Sequence, residues 1–254
     1  MSTVIFPSPI FGPIHSRRLG ISLGINLLPG DGKVCTFDCI YCECGFNKDF
    51  RPTHGLPTRA RVSEALEEKL RELQRNGIAP NVFTFAGNGE PTVHPEFPEI
   101  IDDTLQLRDR YFPEAKVSVL SNATQILKQK VHAALMRVDN NIQKLDTCNA
   151  DFISMVDRPT GHFDLRATIG AMKAFNGHII IQTMFLKGEN IDNTTDDYVL
   201  PWLDTLREIA PKQVMIYTID RETPDHSLRK ASKDELDAIC DRVKRLDIDC
   251  TASY

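Results

Sequence analysis

The strongest constraint on this chain is a repeated change of period. Short β-prone runs alternate with segments whose apolar residues recur at helical spacing. Strand-like runs fall at 21–28, 81–85, 116–120, 142–145, 178–185 and 213–219. Helical patterns occupy 62–73, 96–110, 125–138, 163–175, 198–209 and 232–246, the last opened by the capping pair Ser232 and Glu235. Residues 248–253 offer a final strand. Such alternation predicts an α/β fold of parallel strands with right-handed crossovers. Six units are two short of a closed eight-fold barrel. The pattern alone therefore leaves open an incomplete barrel and an open doubly wound sheet. In both, ligands sit at the carboxyl ends of the strands.

The chain reads as one domain over 1–254, with a core at about 18–220. A Pro-rich extended segment covers 1–17, and a helix and strand close the chain at 232–254. With 254 residues, of which 41% are hydrophobic, it can bury a core without disulfides. The formal net charge of -5 excludes an overall polybasic protein but not a local basic groove. No run of eighteen apolar residues is present, so no membrane association is expected. The opening lacks a basic region and is broken by Pro7, Pro9 and Pro13, unlike a signal peptide. A cytoplasmic location is the expectation.

Seven cysteines stand at 35, 39, 42, 44, 148, 240 and 250. With no export signal, thiols or metal ligands are expected rather than a disulfide framework. Cys35, Cys39 and Cys42 are spaced by four and three, which lets one loop wrap three thiolates around a metal centre. A closed structural zinc site needs four ligands, and Cys44 could supply the fourth. An iron–sulfur cluster with three protein thiolates keeps one iron open to an exogenous ligand. The spacing alone leaves both open.

Cys-x3-Cys-x2-Cys with Tyr41 before the last cysteine resembles the radical S-adenosylmethionine (SAM) superfamily. Gly87-Asn88-Gly89-Glu90-Pro91 looks like a variant of its Gly-Gly-Glu-Pro motif, placed after the second strand. Residues 12–20, 22–26, 182–185 and 218–221 resemble a branch grouped with wyosine-synthesis-like (tRNA-imidazoG37 synthetase-like) radical SAM proteins. The likeness runs from about 11 to 230.

The resemblance implies a partial (β/α)6 TIM-like barrel with the cluster loop after its first strand. It implies a 4Fe–4S cluster on Cys35, Cys39 and Cys42, with S-adenosylmethionine on the open iron. Cleavage would give methionine and a 5′-deoxyadenosyl radical that abstracts hydrogen from a substrate. A flavodoxin- or ferredoxin-type reductant is the implied partner. The implied substrate is RNA, a tRNA base first; a peptide, or a protein activated as a glycyl radical, is the alternative. A non-catalytic iron–sulfur carrier or a zinc module is a more distant reading. The wyosine enzymes carry extra cluster cysteines upstream, and no cysteine here precedes Cys35. Their condensing chemistry is therefore not carried over.

For the cofactor, the resemblance assigns Tyr41 to the cluster loop and adenine. Gly87, Asn88, Gly89 and Glu90 go to the methionine ammonium. Ser121 and Asn122 end a strand and would bind ribose or carboxylate, with a helix N-cap as the rival role. Lys144 and Asp146 share one strand face; they bind the methionine carboxylate or form a barrel salt bridge. Gln182, on an apolar strand, is expected to face the barrel interior. Tyr217 and Thr218 would line the adenine end. Arg17, Arg18 and Arg158 are candidates for an anionic substrate, with solvated charge as the alternative. His15 and His54 are weaker candidates. Cys148 is a speculative substrate-facing thiol, Cys240 reads as packing, and Cys44 and Cys250 receive no role.

Overall fold

Each β-prone run is followed by an amphipathic helix that must bury its apolar stripe, and the chain resolves this by layering helices on one sheet. The computed structural model describes residues 4–16 and 20–254, so Arg17 and Arg18 lie outside the described residues. In chain order the elements are β1 (Ile10–Ser16), β2 (Gly20–Ile25), α1 (Arg59–Arg75), β3 (Val82–Phe85), α2 (Phe97–Tyr111) and β4 (Lys116–Ser121). Next come α3 (Gln129–Leu135), β5 (Asn140–Lys144), the single turn α4 (Ala150–Phe152), α5 (Leu165–Lys173) and β6 (Ile180–Met184). Then follow β7 (Leu186–Gly188), β8 (Ile191–Asp192), α6 (Asp196–Ile209), β9 (Gln213–Tyr217), β10 (Arg229–Lys230), α7 (Lys233–Lys244) and β11 (Asp249–Ser253).

The main sheet has eight strands in the order β1-β2-β3-β4-β5-β6-β9-β11. From β2 to β11 every pairing is parallel, and β1 joins β2 antiparallel. This is a partial TIM-like barrel, open between β1 and β11. Alternation divides each strand between two faces. Leu23, Phe83, Val117, Ile181 and Val214 pack outward onto Leu66, Ile101, Leu206 and Val243 of the helices. Ile142, Ile180 and Met215 form a separate inner cluster with Leu120. Lys144 and Gln182, two residues beyond Ile142 and Ile180, share that inner face and stand opposite each other in register.

The structure shortens one expected helix and adds pairing at two places that the sequence pattern left unspecified. The Pro-rich opening is not merely extended, because residues 10–16 form β1; a register shift between Phe11 and Ile14 absorbs Gly12 and Pro13 on this edge strand. The helix expected over 125–138 is confined to Gln129–Leu135. Ahead of it, Ala123 takes a left-handed φ of 67° and Asn122 is engaged in the loop. Beyond β6 the chain turns into a three-stranded ribbon, β10-β7-β8, that the sequence pattern did not show. The Asn193 carboxamide fixes this corner by accepting from Leu186 N at 2.9 Å and donating to Met184 O at 2.8 Å.

Candidate active site

The loop after β2 runs to α1 without a regular helix or strand and must satisfy its backbone elsewhere. It does so on both flanks. Toward β3, Val34 N donates to Asn88 O at 2.9 Å and Glu90 N donates to Val34 O at 3.0 Å. Toward β5, Asp38 N donates to Asp157 O at 3.0 Å, Ile40 N to Val156 O at 2.9 Å, and Thr160 N to Thr36 O at 2.9 Å. Segments 87–90 and 156–160 thus clasp the three cysteines between them.

Gly89 makes the first clasp possible. It has φ +131°, and a Cβ there would lie 1.9 Å from Val34 O and 3.1 Å from Cys35 Cβ. A Cβ on Gly87 would lie 2.5 Å from Asn26 Oδ1. Asn88 is buried, and its carboxamide is committed to the N-terminal segment: it accepts from Phe6 N at 2.8 Å and donates to Phe6 O and Pro29 O. Glu90 is buried beneath the turn Pro91–Val93. Its carboxylate accepts from Thr92 N at 3.0 Å and Asn122 N at 2.5 Å. Burial pushes the Glu90 pKa up against these bonds.

At the end of β4, Ser121 Oγ accepts from Ala123 N at 3.0 Å, a local turn bond rather than a helix cap, since α3 begins at Gln129. Asn122 faces the cysteine loop, with Nδ2 3.6 Å from Cys35 Sγ and 2.9 Å from Thr36 Oγ1. Thr36 and Thr124 complete this junction at 2.7 Å. Neither threonine stood out in the sequence, although Thr36 adjoins Cys35.

The other flank is built from charge. Asp146 Oδ1 accepts from Met184 N at 2.9 Å, and Oδ2 receives both the Tyr41 hydroxyl and the Lys144 ammonium. Lys144 Nζ also lies 2.9 Å from Asp157 Oδ1, off the hydrogen-bond direction, so that oxygen has no hydrogen-bond partner. Burial would lower the Lys144 pKa, but attraction to Asp146, Asp157 and Cys39 outweighs it and holds it well above the usual range. One ammonium shared by two carboxylates cannot satisfy both. Burial, with Asp146 adding to it, raises Asp157 to about 7 despite Lys144. Burial likewise drives the Tyr41 pKa well up. Asp157 carried no sequence signal; a π-helical turn, Ile153–Asp157, ending at left-handed Arg158, aims it inward.

Gln182 is buried on the inner face beside Lys144. Tyr217 is half-buried at the end of β9 and packs with the Ile40 and Tyr41 cluster. Thr218 Oγ1 accepts from Ala231 N at 2.9 Å. Arg158 is exposed, 5.2 Å above the Phe46 ring. His15 is exposed, and His54 Nδ1 pairs with Asp31 at 2.9 Å on the surface. Cys148 does not face the barrel: its thiol donates to Thr205 Oγ1 of α6 at 3.1 Å, because it packs on the helix side of the sheet.

The donor set fits a thiolate-bound cluster. Cys35, Cys39 and Cys42 are free, half-buried thiols on one clasped loop. Burial raises Cys35 to about 12 and drives Cys39 well up, whereas the Cys44 thiol and Lys33 ammonium, against burial, hold Cys42 down to about 6. Cys44 is buried and faces Gly87 O at 3.6 Å. Among the described residues no group of three or more Cys, His, Asp or Glu side chains is gathered around a single ion position. A cluster instead places each thiolate on a different iron.

The family model of the Radical SAM superfamily matches residues 31–200. A UPF0026 protein of Helicobacter pylori is 31% identical over 231 residues, covering 89% of this chain and 71% of that protein. A Brachyspira hyodysenteriae protein named GTPase Obg is 28% identical over 232 residues; the match covers 90% of this chain and 32% of that relative, so this chain spans about a third of its length. In fold, the chain is similar to a radical SAM methyltransferase from Sphaerobacter thermophilus, with TM-score 0.69, 14% identity and coverage of 92% of this chain and 66% of that one. It is also similar to Streptococcus suis SuiB bound to S-adenosylmethionine, with TM-score 0.66, 14% identity and coverage of 91% and 50%. The chain thus spans half of SuiB. No described helix is long and apolar enough to cross a membrane.

Proposed function

This chain belongs to the radical SAM superfamily, and we propose that its clasped loop, with the rim around it, is the centre that cleaves S-adenosylmethionine to act on RNA, a tRNA base first. The family's cofactors are a 4Fe–4S cluster and S-adenosylmethionine. When bound, they supply methionine and a 5′-deoxyadenosyl radical, which takes a hydrogen atom from substrate.

The observation that carries the reading is the parallel bridge between Val34 and Gly89, which brings the Gly-Asn-Gly-Glu turn against the cysteine loop. Cys35, Cys39 and Cys42 would hold the cluster. Gly87 and Gly89 let the turn pack tightly on Asn26 and Val34, which would set it beside the methionine ammonium, and Glu90 anchors that turn to Asn122. Lys144, positive but shared between Asp146 and Asp157, suits an incoming carboxylate. Gln182 and Tyr217 continue the polar row toward adenine, and Tyr41 closes its base.

The RNA reading is supported by Lys48 and Arg158, both over the Phe46 ring of the cysteine loop, at 6.0 and 5.2 Å. Cation and aromatic face together suit phosphate and base. Residues 1–61 also hold seven basic and four acidic side chains, a modest local excess. A protein reductant of flavodoxin or ferredoxin type completes the reading.

Anaerobically reconstituted protein with dithionite should release methionine and 5′-deoxyadenosine, and Cys39→Ala should abolish both; turnover retained in that variant sinks the assignment. Deuterium transfer from labelled tRNA into 5′-deoxyadenosine would support the substrate. Transfer from labelled peptides alone would replace RNA with a peptide.

A further inference from the structure

Lys33 stands two residues before Cys35, yet it is 3% exposed. A buried ammonium demands compensating charge and hydrogen bonds. Its Nζ donates to Gly45 O at 2.7 Å, and Asp38 Oδ1 lies 3.6 Å away. That same Asp38 oxygen already accepts from Asn47 N at 2.7 Å. Gly45 N in turn donates to Cys42 O at 2.9 Å, so the carbonyl that holds the ammonium belongs to the turn that Cys42 opens; the charges of Cys42, Cys35 and Cys39 all act on it.

The loop is shaped to keep the lysine there. Lys33 N donates to Phe50 O at 2.7 Å. A Cβ on Gly32 would lie 2.5 Å from Phe50 O, and one on Gly45, with φ +75°, would lie 2.3 Å from the Phe50 ring. The chain closes around Lys33 from both sides and keeps its ammonium within the cysteine loop, on the Gly45 carbonyl.

We propose that Lys33 is a positioning residue for the cluster's charge, its ammonium offsetting the thiolate-bound centre and raising its reduction potential. The inference rests on the superfamily reading. Three thiolates around a doubly positive core leave one net negative charge, and one-electron reduction leaves two. A fixed cation in a water-poor site favours the more negative state. Asp38 opposes it, so the balance of the two sets how readily an external electron donor fills the centre.

The test is a potentiometric titration of reconstituted wild type, Lys33→Met and Asp38→Asn, read by the electron paramagnetic resonance of the reduced cluster. At a fixed potential, Lys33→Met should lower the ratio of reduced to oxidised cluster at least about tenfold, equivalent to about 59 mV for a one-electron couple. Asp38→Asn should move the midpoint the other way. Midpoints unchanged in both variants overturn the inference. If Lys33→Met retains no cluster, Asp38→Asn decides alone: an upward shift supports the inference, and an unchanged midpoint overturns it. Wild type that takes up no iron and sulfide overturns the superfamily reading instead, and iron analysis shows this before any titration begins.

Discussion

The two flanks of the cysteine loop hold it by different physics. On the β3 flank the grip is close and mostly backbone, bonded across a glycine that leaves no room for a methyl group, with Glu90 the buried carboxyl behind it. On the β5 flank similar backbone bonds are present, but behind them lies a buried knot of one lysine, two aspartates and a tyrosine. The backbone-held β3 flank is intolerant of volume, while the charged β5 flank is intolerant of imbalance. One loop is thus fixed by steric fit at one end and by charge count at the other.

The largest expected effect tests volume. Gly89→Ala should eliminate cluster retention and S-adenosylmethionine cleavage, measured as iron content and methionine release. The control is Gly161→Ala, where an added Cβ meets nothing within 4 Å. Equal iron content in both variants breaks the comparison.

Lys144→Met tests balance. It strands the buried Asp146 carboxylate, and the cost is about 3–5 kcal/mol by denaturant unfolding of the cofactor-free protein. Adding Asp157→Asn should recover little of that loss, because Asp157, with a pKa of about 7 even beside Lys144, takes up a proton once the lysine is gone. A loss below about 1 kcal/mol would mean that the knot is hydrated and that the flanks do not differ.

Asp157 also gives the charged flank a pH signature. Its pKa is raised from 3.8 to about 7, chiefly by burial. Between those values the native state holds a proton that the unfolded chain has released. This group's contribution to stability is therefore full below about pH 4 and is lost as pH rises through 7. Unfolding free energies of wild type and Asp157→Asn, compared across pH 4–7, should differ in slope, with wild type declining more steeply. Parallel curves would remove the signature.

The smallest effect is expected where charge is exposed. Arg221 Nη1 pairs with Glu43 Oε2 at 2.8 Å, but both side chains are about half exposed to water. Arg221→Ala should cost less than about 1 kcal/mol by the same assay. A larger loss would place this pair with the buried knot.

The difference between the flanks also explains what could be read in advance. The cysteine spacing and the Gly-Asn-Gly-Glu turn were picked out through the family resemblance, since a glycine turn at a strand end is ordinary by itself and the spacing alone left zinc and cluster open. The parallel strands and most helices were legible because burial repeats with a fixed period. Asp157 and Lys33 were not, since nothing in their neighbours announces that a π-helical turn or a closing loop will bury them. Pairings such as Tyr41 with Asp146 span a hundred residues and depend on the finished fold. Cys148 misled for a similar reason: its place just past β5 suggested the rim, whereas its side chain turns toward α6.

The contact at Val34 and Gly89 has a consequence for inheritance. Neither segment can drift alone, because a side chain gained at position 89 collides with the Val34 carbonyl of the cysteine loop. Transplanting the cysteine loop into another barrel would require moving residues 87–90 with it as a single cassette. Combinatorial exchange at just one of these two sites should yield proteins that fold around the remaining sheet while losing their cargo.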